Sequence, residues 1–273
     1  MKKIISIFVF IMAVLSGCEN QNNATEMITE ELNTTEAQKT VELSKADIGD
    51  IVQMGTYEQD GDPETEDPIC WDVLDKDGDA VLLISHDVIA YQRFSDSAKC
   101  VIWEDSQIRS WLNQAFYAEA FDETEQASIR ETTLENPSTV EFAAHIRPAV
   151  EVQIRESRPD TKDKIFMLSW KEAEQYYGKG LRNESVLGRR PSSAVLQKRK
   201  TLFTELLIGK FSDSSSNTLS LVDGTERLSW MLRSTGYDGI NCILVIGYDG
   251  KRSQDKAASY NGVRPAMWVN VGD

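Results

Sequence analysis

Five Asp-Gly pairs punctuate the chain, at Asp60-Gly61, Asp77-Gly78, Asp223-Gly224, Asp238-Gly239 and Asp249-Gly250. Between apolar runs this dipeptide signals a tight turn, because both central positions of the favoured hairpin turn take positive φ. Much of the chain is thereby committed to antiparallel hairpins. Ile69 to Leu74, then Asp75-Lys76-Asp77-Gly78-Asp79, then Ala80 to Ile84 predict one hairpin. Leu219 to Val222, Asp223-Gly224 and Leu228 to Leu232 predict a second, and Cys242 to Tyr248 and Val263 to Val269 predict further strands. Helical spacing lies between these groups. Ile108, Trp111, Leu112, Ala115 and Phe116 follow the rhythm of one buried helix face, behind Asp105 or Ser106 as N-cap. Asp122 to Glu125 and Ser169 to Glu172 have capping-box form, and the second opens a helix from Trp170 to Tyr177 that stops at Gly178. Ile165 to Leu168 predicts a short strand just ahead of it. Hairpins first, helices in the middle and hairpins last make an α+β domain with two or three short helices.

Ahead of this domain, Lys2 and Lys3, the uncharged run Ile4 to Val14 and Leu15-Ser16-Gly17-Cys18 predict an export signal over residues 1–17. The apolar run is too short to span a bilayer as a helix. Leu-Ser-Gly-Cys resembles the bacterial lipobox. That resemblance implies lipid transfer to the Cys18 sulfur, cleavage ahead of Cys18 and acylation of the new amino group (palmitate among the expected chains). Several acyl chains on one residue suffice for stable anchoring. Residues 18–46 are rich in Asn, Gln, Thr and Glu and hold no aromatic residue, so they predict a disordered acidic tether. Residues 47–273 then form a single globular domain.

The 44 Asp and Glu against 29 Lys and Arg give a formal charge of −15. Such a balance argues against nucleic acid and against charge-driven binding to an anionic bilayer, since both select basic residues. His86 and His145 are the only histidines and have no metal-spaced partner, which removes the zinc-protease and His-rich metal motifs. Common nucleophile-elbow and phosphate-loop signatures are absent as well, so no cofactor and no catalysis are expected. Carboxylates are too abundant for any pair to stand out, which leaves an envelope-acting enzyme with a carboxylate pair as the alternative. The densest acidic stretch, Asp60 to Asp67, is either a calcium loop or a solvated hairpin tip. With Cys18 lipidated, Cys70, Cys100 and Cys242 are an odd set. One disulfide at most forms, with Cys70–Cys100 a candidate, and otherwise the thiols are buried and inert.

A series of phrases carries a family pattern. They are Ile51 to Tyr57, Pro68 to Leu74, Val81 to Ser85, Trp103 to Asn113 with Phe116 and Ala120-Phe121, Phe166 to Ser169, Trp230 to Ser234, and Val263 to Trp268. In this order they resemble domain-of-unknown-function family 6273, found in exported bacterial proteins. The Trp230 to Ser234 and Val263 to Ala266 phrases further resemble C-type-lectin-like and formylglycine-generating-enzyme-like domains. The latter enzymes work through paired C-terminal cysteines, and only Cys242 lies in that region here. The chain departs from the family pattern at Ser229 and Thr235 and between Lys179 and Lys210, where a basic cluster (Arg189, Arg190, Lys198, Arg199, Lys200) stands instead. Those basic residues predict solvated surface, pairing with the chain's own acids, or docking of an anionic cell-wall polymer.

Arg233 and Arg264, with Trp230 and Trp268, are the candidate ligand contacts. The arginines equally suit a structural role as fork donors to loop carbonyls or a carboxylate, and the tryptophans equally suit the core. The expectation for the whole is a lipoprotein anchored at the cell surface, with a non-catalytic ligand-recognition domain of C-type-lectin-like architecture. Its ligand is a glycan, a cell-wall polymer or a protein. A structural part in a lipoprotein assembly is the third reading.

Overall fold

In the computed structural model, which describes residues 40–62, 64–65, 67–97, 101–137, 158–178, 195, 198, 220–222, 225–236 and 243–272, the hairpin expected at Asp77-Gly78 lies at the centre of a sheet. This sheet is antiparallel, with strands β1 (Ile51–Tyr57), β2 (Asp67–Asp77), β3 (Ala80–Ser85) and β13 (Ala266–Asn270) in the order β1-β2-β3-β13. Gly78 has φ of 62°, the left-handed geometry that the turn requires. Along β2, Ile69, Trp71 and Val73 are buried, while Cys70, Asp72 and Leu74 are only partly covered. β3 is buried at all six positions, as a central strand covered on both faces should be.

The second sheet holds β4 (Ala90–Arg93), β9 (Trp230–Thr235), β10 (Ile243–Ile246), β11 (Arg252–Asp255) and β12 (Tyr260–Val263), ordered β11-β10-β9-β12-β4. β12 runs parallel to β9 and antiparallel to β4, which leaves β4 as an edge strand. Two small hairpins complete the strands: β5 (Thr132–Asn136) with β6 (Arg158–Asp163), and β7 (Ser220–Val222) with β8 (Thr225–Arg227). The helices are α1 (Gln107–Trp111), α2 (Tyr117–Ala120), α3 (Glu123–Ser128) and α4 (Trp170–Tyr177). The fold is α+β, mostly strands, with a few short helices.

Capping decides where these helices begin. Ser106 accepts the Arg109 N–H at the start of α1, and complete capping boxes, Asp122 with Glu125 and Ser169 with Glu172, open α3 and α4. α4 ends at Gly178, whose N–H reaches the Glu174 carbonyl. A π-helical turn over Leu112–Phe116 joins α1 to α2. Ile108, Leu112 and Phe116 remain buried at a spacing of four, but the wider turn rotates Ala115 out to solvent, against its expected place on the buried face.

Four other expectations are corrected. The return strand after Val222 is Thr225–Arg227; Trp230 to Leu232 instead belongs to β9 in the large sheet. Val263 to Val269 is not one strand: Pro265, with no N–H to give a ladder, follows the end of β12, and β13 begins in the other sheet. Ile165 to Leu168 makes only a single bridge, Phe166 to Ala266. Its neighbouring backbone groups are taken by side chains: the Lys164 and Ile165 N–H groups donate to Asn113 Oδ1 (2.9 and 3.1 Å), and the Met167 carbonyl accepts from Arg233 Nη1 (2.9 Å). Finally, Thr40–Asp273 forms one compact unit, so the end of the predicted tether is packed. Val41 bridges Val52, and Ala46 is 1% exposed.

The seam between β1 and α2 is closed by Gly55. This residue sits in a bulge of β1 at φ 69°, and its N–H donates to Glu125 Oε1 at 2.7 Å. A Cβ there would lie 2.5 Å from the Ala120 carbonyl oxygen and 2.8 Å from the Phe121 ring. Gly55→Ala is therefore expected to cost roughly 2 kcal/mol or more of stability, from strain and overpacking together. Urea denaturation measures it, and an unchanged midpoint would show that the seam can open.

Candidate functional site

The two arginines singled out in the sequence lie inside the protein. Arg233, in β9, is 2% exposed and donates to both oxygens of Glu172 in α4, to the Met167 and Glu135 carbonyls (both 2.9 Å) and to Asn136 Oδ1. Arg264, between β12 and β13, is 1% exposed. It donates to the Ser85 carbonyl from Nε (2.8 Å) and Nη2 (2.6 Å), to Asp72 Oδ2 (3.2 Å) and to the Tyr177 hydroxyl (3.4 Å). Trp230 is buried under the Arg264 guanidinium, 4.9 Å from ring to Cζ, with Tyr177 edge-on to it. These three residues are interior struts rather than ligand contacts, because their polar and aromatic surfaces face other parts of the chain. Trp268 is partly buried in β13, opposite Leu82.

The open surface chemistry lies elsewhere, along β4. Arg93 in β4 stands opposite Tyr260 in β12, and its guanidinium lies 4.6 Å from the Tyr260 ring centre. Tyr260 also stacks on Tyr91 at 5.6 Å. Arg93 Nη1 donates to Asp96 at 3.0 Å, while the Gln107 side chain accepts from the Asp96 N–H and donates to its carboxylate. The Arg93 and Gln107 hydrogen bonds hold the Asp96 carboxyl below its usual pKa, so it stays charged. Trp111 and Ile108, from α1, close one side. The result is a cleft of about 250 Å³ lined by Gln92, Asp96, Gln107, Trp111 and Tyr260 among others.

A second compartment of about 400 Å³ shares Gln92 with the first. Its walls include Tyr57, Glu58, Ile89, Glu119 and Lys198. Burial pushes the Tyr57 hydroxyl up to about 12, with the Glu119 and Glu58 charges adding to the effect, so it is a proton donor at neutral pH. Lys198 lies 6.0 Å from the Tyr260 ring centre, so the two compartments meet around Tyr260. Of these groove residues, Lys198 belongs to the basic cluster that the sequence offers for docking an anionic cell-wall polymer; the four candidate ligand contacts Arg233, Arg264, Trp230 and Trp268 do not line the groove. The groove residues come from positions 57–58, 92–96, 107–111, 119, 198 and 260, and only the fold brings them together.

Elsewhere, the acidic β1–β2 loop does bring carboxylates together. Oxygens of Glu58, Asp60 and Asp67 lie within 4.8 Å of one another. Each already accepts from its own loop: Asp67 from the Gln59 and Asp60 N–H groups (both 2.8 Å), Glu58 from Gly61 N–H (2.6 Å), and Asp60 from Asp62 N–H (2.7 Å). Backbone donors thus organise this hairpin tip. Cys70 is a partly buried free thiol, beside the Gln53 amide. Burial pushes its pKa up despite that hydrogen bond, and the nearby Asp87 and Asp72 charges add to the rise, which suits an unreactive cysteine. His86 bonds Asp72 Oδ1 through Nδ1 at 2.5 Å, while Arg264 donates to the other oxygen, Oδ2. Cys18, Cys100, Cys242, His145, Arg189, Arg190, Arg199 and Lys200 lie outside the described residues.

Fold and site together define an α+β domain with polar arginine struts inside and an aromatic-rimmed polar groove at a sheet edge. A family model described as Domain of unknown function (DUF6273) matches residues 78–271, most of the chain, and the protein belongs to that family. The match begins at Gly78, in the turn of the central hairpin, so β1 and all of β2 lie ahead of it while completing the same sheet. No curated protein and no solved structure matches the chain.

The strut role of Arg233 has a direct consequence. Arg233→Ala leaves Glu172 and two carbonyls without their donor and is expected to cost about 3 kcal/mol. Arg233→Met combined with Glu172→Leu should recover part of that loss, since no uncompensated charge remains. Chemical denaturation of the three proteins checks both; a fully stable Arg233→Ala variant would remove the strut assignment.

Proposed function

We propose that this protein is a lipoprotein anchored to a bacterial membrane through acylated Cys18, and that its domain is a non-catalytic module which recognises a glycan in the groove along β4. The observation that carries this reading is the makeup of the smaller compartment. Two partly exposed aromatic side chains, Trp111 and Tyr260, stand beside two side-chain amides, Gln92 and Gln107, and a charged carboxylate, Asp96. A pyranose ring has an apolar face of C–H groups and a rim of hydroxyls. Aromatic faces suit the first, and amides and carboxylates, which between them donate and accept, suit the second. The Arg93–Asp96–Gln107 network fixes the polar groups before a ligand arrives, which lowers the ordering cost of binding.

The anchor rests on the sequence of residues 1–18, and placement at the extracytoplasmic surface follows from it. We also propose a C-type-lectin-like architecture. Its support is that the two phrases carrying that resemblance become neighbours in space, with β12 pairing to β9 and Arg264 lying over Trp230.

Binding of neutral and acidic oligosaccharides and cell-wall fragments to the purified full chain tests the recognition role. Saturable binding is expected, weakened about tenfold by Trp111→Ala with the fold intact, since each 1.4 kcal/mol is a factor of ten. Turnover of a bound fragment would make the protein an enzyme instead, and a fully negative screen would favour the assembly role. The anchor is tested separately: radiolabelled fatty acid should enter the wild type and be lost in Cys18→Ser, and label retained in that variant refutes the lipobox.

A further inference from the structure

The larger compartment of the β4 groove has a charge arrangement that the smaller one lacks. Glu58 and Glu119 line it, and Lys198 is the cation among its described lining residues. Glu58 is engaged by the Gly61 N–H at 2.6 Å, and Glu119 is exposed. Lys198 makes no ion pair with a described carboxylate; its ammonium lies 6.0 Å from the Tyr260 ring centre, on the ring that also lines the smaller cleft. The compartment walls desolvate this ammonium and hold its pKa below the usual lysine value. An ammonium without a carboxylate partner among the described residues, partly stripped of water and beside a sugar-sized cleft, gains from an anionic group brought to it.

Building on the glycan reading above, we infer that the groove selects a glycan bearing a single carboxylate, with a neutral sugar on Trp111 and Tyr260 and the acidic substituent of the next unit at Lys198. Among the described residues, one cation faces two carboxylates in this compartment, on a chain of net charge −15. A densely charged polymer would therefore meet repulsion from Glu58, Glu119 and Asp96 along the groove. A single carboxylate gains the one attraction and avoids the rest, while Glu58, Glu119 and the protonated Tyr57 hydroxyl are left to meet hydroxyl or amide groups. Selection is thus by charge position as well as by charge sign.

The test uses the full chain and two probes of the same shape: the disaccharide of N-acetylglucosamine and N-acetylmuramic acid, charged only at its lactyl carboxylate, and the methyl ester of that carboxylate. The acid should bind about tenfold more tightly than the ester, and the preference should shrink in high salt. Lys198→Met should abolish the preference, so that acid and ester bind alike, and Lys198→Arg should retain it. Equal affinity for acid and ester, or a preference that survives Lys198→Met, overturns the inference. If neither probe binds while Trp111-dependent binding of another neutral glycan persists, the charge selection falls and the glycan role stands. If no glycan binds at all, both fall.

Discussion

The guanidinium of Arg264 is the point through which both sheets are joined. The chain leaves the five-stranded sheet at Val263 and enters the four-stranded sheet at Ala266, and Arg264 lies between the two. Its donors reach the end of β3 at the Ser85 carbonyl, the middle of β2 at Asp72 and the end of α4 at Tyr177, while its flat face covers Trp230 of β9. Desolvating a guanidinium is expensive, and the cost is offset only when the donors find good acceptors and the charge finds a counter-ion. Asp72 provides the counter-ion, and Asp72 is itself held by His86. The crossover therefore has a defined geometry rather than being one of several ways to stack two greasy sheets. Backbone pairing extends the same lock, with the Ser85 N–H donating to the Pro265 carbonyl at 2.9 Å.

Other charged or polar side chains repeat this solution at smaller scale. Arg233 ties β9 to α4 and to β5, and the carboxylate of Asp163, 2% exposed, accepts from Trp103, Arg109 and Thr161. Asn113 takes the place of a neighbouring strand for residues 164–165. These connections let irregular chain run through the interior with its N–H and carbonyl groups satisfied, so the sheets need not be extended to do so. One consequence falls on the sheet edges. Ile129 and Phe166 bridge to β13, and Val41 bridges to β1, so the four-stranded sheet is covered on both sides. β4 has the groove beside it instead, and that edge is where the proposed ligand would lie.

Local features were legible in the sequence because local forces set them. Asp77-Gly78 fixed a hairpin, Ser169 and Glu172 fixed a helix start, and Gly178 fixed its stop, each through a few adjacent dihedral angles. Failures came where partners lie far away. Ile165 to Leu168 has strand-like composition, yet beyond the Phe166–Ala266 bridge and the Arg233 N–H on Leu168 its backbone groups go to side chains of Asn113 and Arg233. The break at Pro265 had a visible signal, since a proline cannot donate to a ladder, but its continuous apolar flanks masked it. Arg233 and Arg264 were recognised as special, and the fork-donor role was the one the fold gave them. The β4 groove had no comparable signature: Gln92, Trp111, Lys198 and Tyr260 are separated by tens to more than a hundred residues and become a site only through the β4–β12 pairing and the packing of α1 beside it.

The distribution of charge gives the groove its meaning. An acidic surface on a domain held near a membrane by the proposed lipid keeps that domain from lying down on anionic headgroups, because the repulsion acts over about a Debye length of roughly 8 Å at physiological salt. The same surface would exclude any anionic wall component from the protein altogether. A recognition module in that setting needs a local exception, and it must be placed where geometry limits how much negative charge can enter. Lys198, exposed yet walled by Glu58 and Glu119 and adjoining an aromatic cleft, is such an exception. Were the cation on an open convex surface, salt and the surrounding carboxylates would reduce it to a weak and unselective contact. Set between two acids beside Tyr260, it would, under the proposed glycan role, reward one anionic group at one position along a sugar chain and make the net acidity of the molecule part of its selectivity.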